Sequence, residues 1–224
     1  MGSDRSRDRV VVVGQGYVGL PIAMQAVDAG FAVVGYDLNV ERIAGLASGI
    51  SYVEDISDTT LGAAIASQRY QPTAQIADCK DFDVIVITVP TPLREGAPDR
   101  SFIEDSARAV APLVRPGATV ILESTTYPGT TEELLAPILE SGSGLTAGDD
   151  FHLGYSPERI DPGNPTWTLR NTPKVVSGVN ESSLGAVRAF YDRIVEQTIP
   201  VSGTRVAEMT KLLENTFRHV NIAL

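Results

Sequence analysis

Val10 to Val13 is a run of four valines that ends at Gly14. The residues that follow, Gly14-Gln15-Gly16-Tyr17-Val18-Gly19, lead into a stretch from Val18 to Ala29 whose apolar side chains recur at helical spacing before Gly30 closes it. A strand buried on both faces, a turn almost without side chains and an amphipathic helix thus follow one another directly. Few folds accept that order. Gly14 permits the tight turn, Gly16 lets backbone come close to a diphosphate, and Gly19 lets the helix lie against the strand. The helix then presents free N–H groups and the positive end of its dipole to an anion. Phe31 to Tyr36 is a second apolar strand, ended by Asp37, and Val40 to Leu46 carries the spacing of a short helix, which completes a first βαβ unit.

Asp37 lies eighteen residues beyond Gly19, about the offset at which such a unit places the carboxylate that accepts from both ribose hydroxyls of a dinucleotide. That carboxylate repels a 2′-phosphate, so NAD is favoured over NADP. Arg42, one helical turn on, is a contact for the ribose or the pyrophosphate, and Tyr17 and Val18 belong to the same cofactor loop. The plain structural alternative is a glycine turn beside an unrelated aspartate; strand, turn, helix and acid occurring together argue against it. The arrangement also answers a problem of charge. The chain carries 18 Lys and Arg against 28 Asp and Glu, a formal net charge of −10, so nucleic acid is not an expected partner. Any phosphate has to be held locally.

The alternation of elements persists. Val84 to Val89 and Thr119 to Leu122 are continuous apolar runs, with helical segments from Phe102 to Val114 and Glu132 to Leu139. Phe151 to Tyr155, Lys174 to Val179 and Gln197 to Val201 are shorter strands, with a helix from Ser182 to Ile194 between the last two. The economical architecture is α/β: a right-handed doubly wound parallel sheet, a Rossmann-type NAD-binding domain over residues 1–203. Helical spacing through Met209, Leu212, Leu213, Phe217 and Val220 then makes 204–224 the start of a long linking helix. At the carboxyl edge of such a sheet, where ligands bind, Thr88-Val89-Pro90-Thr91-Pro92 follows its strand. Val89, Pro90 and Thr91 are candidate cofactor contacts, although a structural turn explains them equally well.

No apolar stretch approaches membrane-spanning length, and the residues before Val10 are too polar for a secretion signal. A single cysteine, Cys79, allows no intrachain disulfide and reads as a small buried hydrophobe; the expected compartment is the cytoplasm. His152 and His219 fall in no motif, and no metal-ligand spacing is present, so no metal is expected.

Three later segments carry chemistry-bearing side chains: Ser124-Thr125-Thr126-Tyr127-Pro128-Gly129-Thr130 and Tyr155-Ser156-Pro157-Glu158-Arg159, each after a strand, and Lys211 with Asn215, four apart on one face of the final helix. Taken singly, each is weak; a Lys–Asn pair at that spacing is ordinary solvated surface. Their order and length together resemble the UDP-glucose/GDP-mannose dehydrogenase family, from Val10 to the end of the chain. The branch acting on UDP-N-acetylglucosamine is favoured by Val89-Pro90-Thr91-Pro92-Leu93, by Glu123 to Glu133, by Tyr155 to Arg159 with Asp161-Pro162-Gly163-Asn164-Pro165, and by Ala207 to Asn215.

The resemblance implies oxidation of a sugar C6 primary alcohol to a carboxylate in two hydride transfers to NAD, with a cysteine holding the intermediate. It makes Thr125 the residue that holds the hydrolytic water beside the cofactor, with Ser124 also on the cofactor side. Glu158 becomes the general base, Lys211 and Asn215 stabilise the oxyanion, and Glu158, Arg159, Lys211 and Asn215 contact a UDP-sugar. The family's second glutamate has no counterpart here; Asp161 and Pro162 stand near its place, and no role is assigned to Asp161. The nucleophilic cysteine belongs to a glycine-rich segment well beyond Asn215. The chain is therefore expected to be the cofactor-binding part of a homodimer or higher homo-oligomer, inactive alone, with the C-terminal nucleotide-sugar-binding domain absent. Two rivals stand beside this reading. A β-hydroxyacid or 6-phosphogluconate-type dehydrogenase would yield one NADH per substrate rather than two, and a non-catalytic NAD-binding module would keep its output when Lys211 is replaced.

Overall fold

The computed structural model describes residues 9–94, 97–159 and 166–223. Its centre is the valine run, β1 (Arg9–Val13), which the glycine loop joins to α1 (Gly19–Asp28) and then to β2 (Ala32–Tyr36) and α2 (Val40–Ala47). The alternation of β1 explains why both sheet faces are covered. Val10 and Val12 lie in one apolar layer with Leu20 and Phe190, and Val11 and Val13 in the other with Ile103 and Leu139. A strand with four buried valines and no polar face can only sit inside such a sandwich of helices.

Among the elements that went unread in the sequence are α3 (Asp58–Ala66) and β3 (Tyr70–Thr73). The helix buries only Leu61 and Ala64, so its apolar periodicity is faint, although Ser57 caps it by accepting from Thr60 N. β3 contains Pro72 and lies at the end of the sheet, the place where a strand tolerates a missing donor.

A 3-10 turn at Ile76–Cys79 precedes β4 (Val84–Ile87), and the two-residue strands β5 (Leu93–Arg94) and β6 (Ala97–Pro98) pair in a small separate ribbon. Then come α4 (Ser101–Val110), β7 (Thr119–Leu122), a π-helical turn Thr130–Leu135 running into α5 (Ala136–Ser143), and β8 (His152–Tyr155). The order is completed by β9 (Lys174–Gly178), α6 (Glu181–Tyr191), β10 (Thr198–Pro200) and α7 (Thr204–Ala223).

The eight strands of the main sheet run β10-β9-β8-β7-β4-β1-β2-β3. From β3 to β8 every pairing is parallel, as the alternation predicts. The expectation of a wholly parallel sheet fails at one place, because β9 pairs antiparallel with β8, Gly154 opposite Gly178 and Tyr155 opposite Ser177. β10 then follows β9 in parallel. Among the described residues between β8 and β9 there is no helix, where a parallel return would need a crossover connection. From β1 the sheet is built outward through β2 and β3 on one side and through β4 and β7 on the other, so its switch point lies between the loops that follow β1 and β4.

Candidate active site

The glycine loop after β1 stands at that switch point. Gly14 has φ +89°, and a side chain on it would press on the Thr88 carbonyl at 2.9 Å. On Gly19 a Cβ would lie 1.8 Å from the Gly14 carbonyl oxygen, so α1 packs as close to the loop as backbone allows. Around Gly16 nothing stands within 4 Å of the same position. Of the three glycines, then, two are enclosed by protein and one faces outward. Thr88 locks the turn by donating to the carbonyls of Val13 and Gly14, each at 2.8 Å.

The helices α2, α3 and α6 begin with Asn39, Ser57 and Asn180, whose side chains accept from the first turn. At α1 the corresponding residue is Val18, and no side chain caps the helix. An uncapped helix start beside an open glycine fits a diphosphate, whose oxygens take the place of a cap.

Gln15, read only as a spacer in the motif, is fully buried. Its amide donates to the Val12 carbonyl at 2.8 Å, its oxygen accepts from the Tyr70 hydroxyl at 2.7 Å, and its backbone N–H reaches Asp37 Oδ2 at 2.8 Å. Asp37 closes β2 where the ribose reading requires. It also accepts from Asn39 N at 2.9 Å and Arg42 Nη1 at 2.7 Å. Arg42 in turn lies over the ring of Tyr52, 4.9 Å from its centroid, and Tyr52 meets Tyr17 edge-on and donates its hydroxyl to the Gln15 carbonyl. Burial pushes the Tyr52 phenol up to about 12, so it stays a donor at neutral pH. Tyr52 was not anticipated; it lies outside any motif.

The loops after β4 and β7, on adjacent strands, are tied where the Thr91 hydroxyl donates to the Thr125 carbonyl at 2.7 Å. This brings Val89, Pro90, Thr91, Ser124 and Thr125 to one rim. Ser124 is buried while Thr125 is exposed, which leaves the Thr125 side chain turned to solvent.

Glu158 and Lys211 meet at the next position along that rim. The Lys211 ammonium donates to the Glu158 carbonyl, and burial lowers its pKa, opposed by the Glu158 charge. Asn215 is half-buried one turn further along α7. Arg159 commits its guanidinium to Glu214, with contacts of 2.8 and 2.6 Å, and to the Pro173 carbonyl at 2.9 Å, so it braces the strand end against α7. Asp161 lies outside the described residues.

Sequence reasoning missed the group behind Glu158. Lys174, 4% exposed, pairs with buried Glu123 and stands 3.3 Å from Glu158 Oε2, while the Tyr191 hydroxyl donates to the other oxygen of Glu123. A lysine at the head of an otherwise apolar strand was the available signal. Glu208 was missed likewise: it is fully buried on α7 and accepts from Gly129 N at 2.6 Å and from Thr131 N and Oγ1 at 2.9 and 2.7 Å. It thereby fixes α7 to the loop that carries Thr125. Cys79 is fully buried in the core, its thiol pushed up by burial to about 12. Among the described residues no group of His, Cys, Asp and Glu forms a metal site, and no helix is long and apolar enough to cross a membrane.

The model of the UDP-glucose/GDP-mannose dehydrogenase family, NAD binding domain, matches residues 8–195. The UDP-N-acetyl-D-mannosamine dehydrogenase of Pyrococcus horikoshii is 39% identical over 217 residues, 96% of this chain and 52% of that protein. The UDP-N-acetyl-D-glucosamine 6-dehydrogenase of Pseudomonas aeruginosa is 39% identical over 218 residues, covering 96% and 51%. The solved structure of the P. horikoshii UDP-D-ManNAc dehydrogenase superposes with a TM-score of 0.91 at 38% identity, over 96% of this chain and 51% of that one. The chain spans about half the length of the curated relatives it matches.

Proposed function

The chain belongs to the UDP-glucose/GDP-mannose dehydrogenase family, of which it is an NAD-binding domain, and from that premise we propose that it serves the oxidation of a UDP-sugar at C6, UDP-N-acetylglucosamine to UDP-N-acetylglucosaminuronate, with two hydrides removed per sugar. The observation that carries this reading is the meeting of Glu158 and Lys211 on the rim where the Thr91–Thr125 tie closes the cofactor side. The Lys211 ammonium is held on the Glu158 backbone carbonyl and feels the charge of its carboxylate, an arrangement that suits a reaction needing a base and then a stabilised oxyanion.

Bound NAD would supply the hydride acceptor, and this chain's residues would hold it and serve the C6 oxygen. The amides of the glycine loop and the start of α1 hold the diphosphate, and Asp37, steadied by Arg42 and Gln15, takes the adenosine ribose. Thr125 orients water, Glu158 removes its proton, and Lys211 with Asn215 steadies charge on the C6 oxygen. Lys211, with its pKa lowered by burial, is the more readily placed against an alkoxide for being poorly hydrated. Cys79 does not suit the thiol of a covalent intermediate, since it lies in the core with its thiolate disfavoured. We infer that the working protein is a cytoplasmic homodimer or higher homo-oligomer paired through α7.

The test is stoichiometric. Protein containing this domain, given UDP-N-acetylglucosamine and excess NAD, should form two NADH per sugar by absorbance. One NADH would favour a single oxidation of the β-hydroxyacid type. Retained NAD binding by calorimetry without any NADH would make the domain a non-catalytic module.

A further inference from the structure

The group formed by Glu123, Lys174, Tyr191 and Glu158 is buried beyond the need of a base that only has to face water. Side-chain exposure is 0% at Glu123, 5% at Lys174 and 12% at Glu158. Glu123 follows β7, Lys174 opens β9 and Glu158 follows β8, so three neighbouring strands deliver two carboxyls and one ammonium to one spot. Register explains the meeting: continuing the antiparallel β8–β9 pairing past Tyr155 and Ser177 sets Lys174 opposite Glu158. Lys174 bridges the carboxyls of Glu123 and Glu158, and the charge of Glu158 acts on Glu123.

We propose that Glu123 is the buried proton acceptor behind Glu158, the two carboxyls sharing one proton across the Lys174 ammonium. Glu123 is thus a positioning residue that acts through Glu158, and the proposal rests on the reading of Glu158 as the base. With both carboxylates ionised, the Lys174 ammonium faces two buried anions, which leaves repulsion between them. Removal of a proton from water relieves it. The O–H bond of the water breaks and its electron pair stays on oxygen. The proton passes through a Glu158 oxygen to Glu123, and the new O–H of Glu123 donates to the Glu158 carboxylate. Glu158 ends ionised as it began, and Lys174 keeps an anionic partner throughout.

Among the described residues, the charged or titratable groups facing the pair include Tyr191 on α6, which donates to Glu123, Tyr155 on β8, which feels its charge, and Lys211 on α7, against the Glu158 carbonyl. Arg159 is turned to Glu214. Desolvation, opposed by Lys174 and reinforced by Glu158, holds Glu123 up to about 7. The acceptor is therefore empty above that pH and filled below it, so proton removal by Glu158 fails as pH falls through about 7.

The test is a carbon NMR titration of glutamate side-chain carboxyls in this chain, with Glu123→Gln and Glu158→Gln beside it. The expected result is one inflection near 7 seen by both carboxyls, lost from the Glu158 signal in Glu123→Gln. In Glu158→Gln the Glu123 midpoint should move down, because a repelling anion is gone. Either variant suffices if the other does not fold. An inflection at Glu158 that survives Glu123→Gln, or a Glu123 midpoint unmoved by Glu158→Gln, would overturn the proposal. NAD calorimetry on the same samples reads the cofactor site separately, so a failed dinucleotide reading and a failed proton pair give different results.

Discussion

Gly14, Gly16 and Gly19 are interchangeable as letters of a motif and distinct as places in the molecule. Gly19→Ala drives a methyl group into backbone at 1.8 Å, and we expect a loss of roughly 3 kcal/mol or more in urea unfolding, since neither partner is a flexible side chain. Gly16→Ala meets nothing within 4 Å and should change stability by less than about 0.5 kcal/mol, while NAD affinity by calorimetry falls at least about tenfold because the methyl group occupies the diphosphate's approach. Equal losses of stability in the two variants would contradict this division. These roles were legible because they depend on neighbours in sequence. Gln15, Tyr52, Glu123 and Lys174 were not, because what defines each is a partner far along the chain: Tyr70 for Gln15, Glu158 and Glu123 for Lys174.

Among the elements, α7 depends most on a single contact. Its first half is held by Thr204, Ala207 and Glu208, the buried residues of the helix. Glu208→Ala would leave Gly129 N, Thr131 N and Thr131 Oγ1 without their acceptor, and we expect a cost of roughly 3 kcal/mol. Hydrogen exchange should show α7 opening ahead of β1, and Glu208→Gln, which keeps one acceptor oxygen, should fall between. Unchanged protection of α7 in Glu208→Ala would refute the assignment. Strands and helices with strong periodicity, such as β1, α1 and β7, were read close to their observed bounds. The helix expected over Glu132 to Leu139 starts earlier, at Thr130, and begins with a π turn. Its start, at Gly129 with φ +103°, is set by the tertiary contact from Glu208, which leaves no local trace. The reversal of β9 was equally invisible, since parallel and antiparallel buried strands share the same apolar pattern.

For the molecule as a whole, charge and apolar surface point in different directions. The net charge of −10 opposes anions at long range, so phosphate binding relies on the local field of the glycine loop and α1. The second half of α7 exposes a row of apolar side chains, with Leu213 66% and Phe217 71% open, larger than a monomer ordinarily leaves in one line. If subunits pair there, sedimentation of the 23.9 kDa chain should give a concentration-dependent dimer, and Leu213→Glu with Phe217→Glu should give a monomer that still binds NAD. A wild-type monomer at about 100 μM would refute pairing by this chain alone.

The turnaround at β9 has a consequence for what holds the site together. Both ends of the connection between Arg159 and Pro173 are fastened at one place, one by the Glu158–Lys174 pair and the other by Arg159 on the Pro173 carbonyl. The meeting of Lys174 with Glu158 thus follows from the register of the two strands and not from the length of chain between them.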